Sequence, residues 1–260
     1  MVSVLPVAAA PIAPADLPGA LAGWPVVLLG EVHDNAEHHR VQAEAVAALR
    51  PRALVFEMLS PEQAALVTPA LRNDPAALAA ALRWETSGWP DFAMYHPIFL
   101  AAPEAQVFGA ALPRDQVRSA FVSGAAAAFG PDAARYGLDR ALEPADQAAR
   151  EALQQQAHCG ALPDTMLPGM VEAQRLRDAA LARAVVQAMA ATGGPVAVIT
   201  GTGHVRKDQG IPAALSVAAP GLRVLAVGQL EADPGPDAPF DLWVVTAPQP
   251  RPDPCGVFTN

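Results

Sequence analysis

Short apolar runs alternate with amphipathic stretches along this chain, and that alternation sets the expected elements. Val26-Val-Leu-Leu29 is apolar at every position, entered from Trp24-Pro25 and ended by Gly30. Such a run reads as a strand buried on both faces of a parallel sheet. From Asp34 the pattern turns helical (DNAEHHRVQAEAVAALR) until Pro51 stops it. Ala53-Leu-Val-Phe56 is a second buried strand, with Glu57 directly behind it. Ser60-Pro61-Glu62-Gln63 opens another helix, with a capping serine, proline at the first helical position and glutamine three residues after the cap. The chain therefore starts β-α-β-α, with right-handed crossovers.

The middle, 74–168, is less regular and predicts a helical lid. Asp74-Pro75 opens an alanine-rich helix ending near Trp84, Ser87-Gly-Trp-Pro90 is a turn, 106–112 is a candidate strand, and Glu143-Pro144 starts a helix running to Cys159-Gly160. A long helix follows from Pro168 to Thr192, halted by Gly193-Gly194. Val196-Ala-Val-Ile-Thr200 is the clearest strand, and Gly201-Thr-Gly-His204 follows it. A helical turn at 212–217 and strands at 223–228 and 242–246 complete the pattern, with a Pro/Asp/Gly loop at 231–239 between the last two. The expected fold class is α/β, a mostly parallel central sheet flanked by helices. One domain spans 21–248, with a leader or signal remnant at 1–20 and a tail at 249–260.

Composition narrows the function classes. Of 260 residues, 58 are alanine, which inflates the apolar fraction; 16 are arginine, and Lys207 is the one lysine. That bias reads as codon usage before physics. A net charge of −9 with no basic cluster excludes nucleic acid as a partner. No stretch approaches the roughly 18 apolar residues of a membrane span. The segment Met1 to Pro14 is apolar and uncharged, unlike an intact secretory signal, which starts basic. Cys159 and Cys255 are either two buried thiols or one disulfide tethering the C-terminal tail. The extended Arg251-Pro-Asp-Pro-Cys255 has little apolar content and gains order from a tether, which favours the disulfide and an oxidising compartment.

Candidate chemistry gathers at strand ends. Gly30-Glu31-Val32-His33 and Gly201-Thr202-Gly203-His204 share one form: buried strand, glycine, two residues, histidine. Ligands of open parallel sheets sit outside the carboxyl ends of the strands. His33, His204 and Glu57 therefore reach one edge, a three-ligand set for Zn²⁺, Mn²⁺ or Fe²⁺, with Glu31 as a general base for a bound water. A single strand-end histidine is more often a satisfied core residue. Gln174 and Asp178 lie four apart on the long helix, flanked by Arg175 and Arg177. Asp178 with Arg177 suits orienting an imidazole or a propionate, although a solvated helix face is the plainer expectation. Of His38-His39 only one is expected to face inward. Tyr95, amid Phe92, Met94, Ile98 and Phe99, and Tyr136 are the only tyrosines and so the only candidates for a tyrosinate haem ligand. There is no Cys-x-x-Cys-His, phosphate-binding loop, dinucleotide fingerprint or nucleophile elbow.

Taken in order, Gly30-Glu-Val-His-Asp-Asn35 with His38-His39 and Gln42, Phe56-Glu57-Met58, Gln174-x-x-Arg177-Asp178, Ile199-Thr-Gly-Thr-Gly-His204-Val205 and Gly210-Ile-Pro212 resemble the ChaN family. These are bacterial haem-binding uptake proteins, often lipoproteins, grouped with Tiki proteases and erythromycin esterase-like enzymes. No lipobox cysteine stands near Met1. The resemblance implies a sheet core with a helical lid, a periplasmic or outer-membrane-associated address, and a homodimer that buries a pair of haems with tyrosine as iron ligand. His33, Glu57, Tyr95, Tyr136, Gln174, Arg177, Asp178 and His204 are its candidate haem-contacting residues. The superfamily's enzymes imply an alternative, metal-dependent hydrolysis through His33, Glu57 and His204.

Overall fold

The computed structural model describes residues 9–253 and 255–256. The described residues form a seven-stranded, all-parallel sheet in the order β1-β7-β6-β2-β5-β3-β4. Its strands are β1 (Ala10–Pro11), β2 (Val26–Glu31), β3 (Ala53–Phe56), β4 (Gln106–Gly109), β5 (Val196–Gly201), β6 (Val224–Leu230) and β7 (Leu242–Val245).

The apolar strands serve two cores at once. Val26 and Leu28 of β2, Val55 of β3 and Val198 of β5 face the long helix Leu167–Thr192, while Val27, Leu29, Phe56 and Ile199 face helices Ala36–Leu49 and Phe92–Ala101. Successive strand side chains point to opposite faces, so a doubly covered strand has no polar position. The alanines have a packing role here: Ala179, Ala180, Ala182, Ala184 and Ala188 lie buried along the long helix. Small side chains let that helix approach the sheet closely.

Local chemistry fixes the element ends. Asn35 caps helix Ala36–Leu49 by accepting from the backbone N–H groups of Glu37 and His38, and Arg50 closes it in the left-handed region at φ 49°. Ser60 and Gln63 form a reciprocal capping box.

Two regions depart from the sequence expectations, and the tail follows them. The span 74–168 is not a single layer over the sheet. Leu78, Phe92 and Tyr95 join the core on one face, Ala120, Ala125 and Phe129 the other, and β4 carries the chain along the sheet edge between them. Residues 10–20, expected as part of a leader, are built in: Ala10–Pro11 pairs with β7, and Leu17 is fully buried. Residues 1–8 of that leader lie outside the described residues. The tail is bound as well, by a Cys159–Cys255 disulfide with Cα atoms 5.5 Å apart. Among the described residues no helix is long and apolar enough to cross a membrane.

Candidate functional site

Two acid–histidine clusters stand side by side at the carboxyl edge of the sheet. Strand β2 ends on Glu31, which is 2% exposed, and the loop behind it carries His33. Oε1 of Glu31 accepts from the Tyr95 hydroxyl at 2.9 Å and lies 2.8 Å from Nδ1 of His33. Oε2 of Glu31 faces Nδ1 of His39 at 3.5 Å. Glu31, expected as a general base, is thus enclosed among Tyr95, His33 and His39. Burial by itself lowers the His33 pKa, but the Glu31 hydrogen bond and the charges of Glu57 and Glu31 outweigh it, so the net shift is upward. The Tyr95 hydroxyl is pushed far above its usual range by burial and by the Glu31 carboxylate.

The second cluster centres on His204. Its Nδ1 lies 2.6 Å from Oδ1 of Asp178 and 3.1 Å from the Gln174 amide, and its Nε2 lies 3.3 Å from Oε1 of Glu57. The other Glu57 oxygen accepts from the Thr200 hydroxyl at 2.7 Å and the Gly201 N–H at 2.8 Å. Burial opposes the charge on His204, yet Glu57 and Asp178 on either side raise its pKa to about 10. Burial pushes Glu57 up, but the His204 charge and hydrogen bond bring it well below the usual carboxylate range. For Asp178 burial wins, and its pKa is raised despite His204. The ring is an imidazolium held between two carboxylates.

Not every sequence candidate joins these clusters. His38 and His39 are both buried, against the expectation of one exposed ring. Their helix is covered on two sides: His38 accepts from the Val32 N–H and meets Thr246, while Nε2 of His39 bonds the His33 carbonyl and its ring lies 4.2 Å from that of Tyr95. Gln174 and Asp178 are likewise on a packed helix face rather than a solvated one. Tyr136 is 4% exposed in the core against Phe129, with its hydroxyl pKa raised by burial. His33, Glu57 and His204 do share the edge. Even so, no group of three or more His, Cys, Asp or Glu among the described residues is arranged to hold a metal ion. Both nitrogens of His204 already face carboxylates.

A cleft of about 1170 Å³ opens over this edge, with Glu57, Met58, Trp89 and His204 in its wall. Arg83, Arg114, Arg177 and Arg183 also line it, and among the described residues none of the four has an ion-pair partner. The sequence reading missed Trp89, which meets the His33 ring edge-on at 4.9 Å, because its Ser-Gly-Trp-Pro setting signals only a turn. It also missed Arg83, Arg114 and Arg183, which belong to separate elements with no shared motif.

A parallel α/β sheet with paired acid–histidine clusters over its strand ends defines the class of protein. The chain belongs to the family described as haem-binding uptake, Tiki superfamily, ChaN, whose model matches residues 17–215. Among solved structures it is similar to that described as cofacial haem binding to ChaN of Campylobacter jejuni. The TM-score is 0.68 at 18% identity, over 87% of this chain and 89% of that one. It is also similar to the type III effector HopBA1, with a TM-score of 0.52 at 14% identity over 91% and 94%. No curated protein sequence matches the chain.

Neither tyrosine named as a candidate iron ligand lines the cleft. Tyr95 is fully buried with its hydroxyl bound to Glu31, and Tyr136 sits in the core away from both clusters.

Proposed function

We propose that this protein binds haem for bacterial haem and iron uptake, in the cleft over the carboxyl ends of the strands. The observation that carries the reading is the cleft lining. Apolar surface from Trp89, Leu112 and Val117 stands with four arginines that have no ion-pair partner, Arg183 among them stacked over the Phe129 ring, in a chain of net charge −9. Two lining carboxylates, Glu62 and Asp132, reduce the local positive charge without cancelling it, and Glu57 is taken by His204. An apolar macrocycle with two propionates meets both requirements, because arginine pairs with carboxylate in bidentate geometry. The Cys159–Cys255 disulfide supports an address outside the cytoplasm, in the periplasm or at the outer membrane. A homodimer that shares haem between copies belongs to the same reading.

An absorbance titration with ferric haem tests this. The expected result is a saturable Soret shift at micromolar haem, weaker for haem dimethyl ester and for the Arg177→Ala/Arg183→Ala variant. No shift with the wild-type protein overturns it. Light scattering with and without haem tests the dimer.

Hydrolysis at the same edge is the second reading, favoured by the Asp178–His204–Glu57 arrangement, which can hold and move a proton. Its metal-dependent form, with Zn, Mn or Fe on His33, Glu57 and His204, requires stoichiometric metal in protein purified without chelator. Protein free of metal counts against that form.

A further inference from the structure

We infer that Trp89 is a specificity-determining residue of the cleft, stacking its indole on the flat face of the macrocycle, and that the Glu31–His33 pair serves to hold it there. This rests on the haem-binding reading above. Among the residues lining the cleft, Trp89 is the one aromatic side chain. Leu112 and Val117 add apolar contact of no fixed plane, and the arginines answer the propionates. Those groups would take a bulky aliphatic dicarboxylate as readily as a tetrapyrrole. A second aromatic plane tells the two apart, because offset-stacked rings gain free energy beyond the area they bury. Tryptophan is suited to the task, since it presents a large rigid surface with only two side-chain torsions to fix.

The fold fixes Trp89 from two directions. Its own turn is closed by side chains: the Trp84 indole N–H donates to the Pro90 carbonyl at 2.7 Å, and the Ser87 hydroxyl donates to the Trp84 carbonyl at 2.6 Å. The same hydroxyl accepts from the Trp89 N–H at 3.1 Å, and Gly88 supplies the left-handed residue between them at φ 87°. Trp84 anchors this turn in the core, 4% exposed, with its ring 4.8 Å from that of Tyr95. From the other direction comes His33, whose ring meets that of Trp89 at 4.9 Å and 63°. His33 is itself set by Glu31 at 2.8 Å, and Glu31 by the Tyr95 hydroxyl at 2.9 Å. None of Glu31, His33 and Tyr95 lines the cleft, so this cluster meets the cleft wall through Trp89. The two indoles of the turn divide the work. Trp84 is buried and hydrogen-bonded, whereas Trp89 is half-buried against the core and makes no side-chain hydrogen bond among the described residues.

The test is a titration of the full chain with ferric haem and with haem dimethyl ester, for wild type, Trp89→Phe, Trp89→Leu, His33→Asn and the His33→Asn/Trp89→Leu double variant. Trp89→Leu should bind haem roughly tenfold more weakly, the scale of an aromatic stack, and Trp89→Phe should recover most of that loss. The ratio of haem to ester affinity should stay that of the wild type in both, because the indole meets the ring face and not the propionates. His33→Asn should weaken binding by a smaller factor and add nothing to Trp89→Leu, since a positioning residue acts only through the side chain it positions. Wild-type affinity in Trp89→Leu overturns the stack while leaving haem binding intact, and losses that multiply in the double variant overturn the role given to His33. A wild-type protein that takes up no haem overturns the haem-binding reading and the stack together. Should Trp89→Leu fail to fold by circular dichroism, the wild type decides by nuclear magnetic resonance with zinc protoporphyrin, a diamagnetic probe. The Trp89 indole resonance, assigned through Trp89→Phe, should move upfield under the macrocycle ring current, and an indole unmoved in the bound complex overturns the stack.

Discussion

Asp178 Oδ1 lies 2.6 Å from Nδ1 of His204, so the long helix and the end of β5 meet through a buried ionic hydrogen bond. Glu57, 3.3 Å from the other ring nitrogen, makes His204 a cation enclosed by two carboxylates. Such an arrangement stabilises the fold only while the ring keeps its proton, and removing one member leaves an uncompensated buried charge.

Stability should therefore depend on pH in a defined window. His204 has its pKa raised from 6.5 to about 10, so its contribution is complete below pH 6.5 and is lost as pH rises through about 10. Glu57 is shifted down from 4.5, so its contribution is present above pH 4.5 and fades as the solution becomes more acid. Asp178, shifted up, favours the acid side and flattens the low-pH flank. Melting temperature should be highest between pH 4.5 and 6.5 and fall steadily towards pH 10, and His204→Asn should remove most of that fall. A wild-type melting temperature that is flat from pH 6.5 to 10 contradicts the ionic arrangement.

Gly201→Ala should disturb His33 before it disturbs the sheet. The added methyl meets Nε2 of His33 at 2.9 Å, and that ring cannot simply swing aside while Glu31 holds its Nδ1. Overpacking of this kind costs about 1–3 kcal/mol. Chemical denaturation should show a loss in that range, and nuclear magnetic resonance should show a shifted His33 imidazole. Unchanged His33 resonances would mean that the ring has room which the geometry denies.

The sheet was legible because its strands are buried on both faces: β2, β3 and β5 carry no polar residue before their carboxyl ends, and each is followed by a capped helix or a glycine. Those same runs put Glu31, His33, Glu57 and His204 at strand ends. The site's remaining parts left no local mark. Tyr95 reaches Glu31 across 64 residues, and its helix reads as an apolar patch interrupted by Pro97 rather than as a wall of the site. Asp178 looked solvated because helix periodicity cannot tell which face a second layer will cover. β1 is two residues long, too short for any alternation to register.

Tyr95→Phe should weaken the support of Glu31. The substitution preserves the ring, which packs at 4.8 Å from Trp84 and 4.2 Å from His39, and removes only the hydroxyl that donates to Glu31. A buried carboxylate that loses a donor costs about 1–3 kcal/mol. Denaturation midpoints should fall accordingly. A stability change under a few tenths of a kcal/mol would show that Glu31 finds another donor.

The C-terminal tail should prove to be a brace for the His33 loop. Arg251 bridges Asp34, the residue after His33, at 2.8 Å and also reaches Glu231 at 2.7 Å, holding the Glu231 carboxyl down to about 2. Asn35 donates to Glu231 at 2.7 Å and to the Ala247 carbonyl at 3.3 Å, so the 32–35 loop is tied to the tail by side chains on both strands of chain. The disulfide closes that arrangement by joining the tail to Cys159, 96 residues away in sequence. Partly exposed ion pairs are worth roughly 0–1 kcal/mol each, so most of the anchoring falls to the covalent link, and disulfides typically contribute roughly 2–4 kcal/mol. Cys159→Ser/Cys255→Ser should lower stability by that amount and raise hydrogen exchange at 32–35 and 247–253, whereas Arg251→Ala should raise exchange at 32–35 with little change in global stability. If both variants leave exchange at 32–35 as it is in the wild type, the loop holds His33 without the tail.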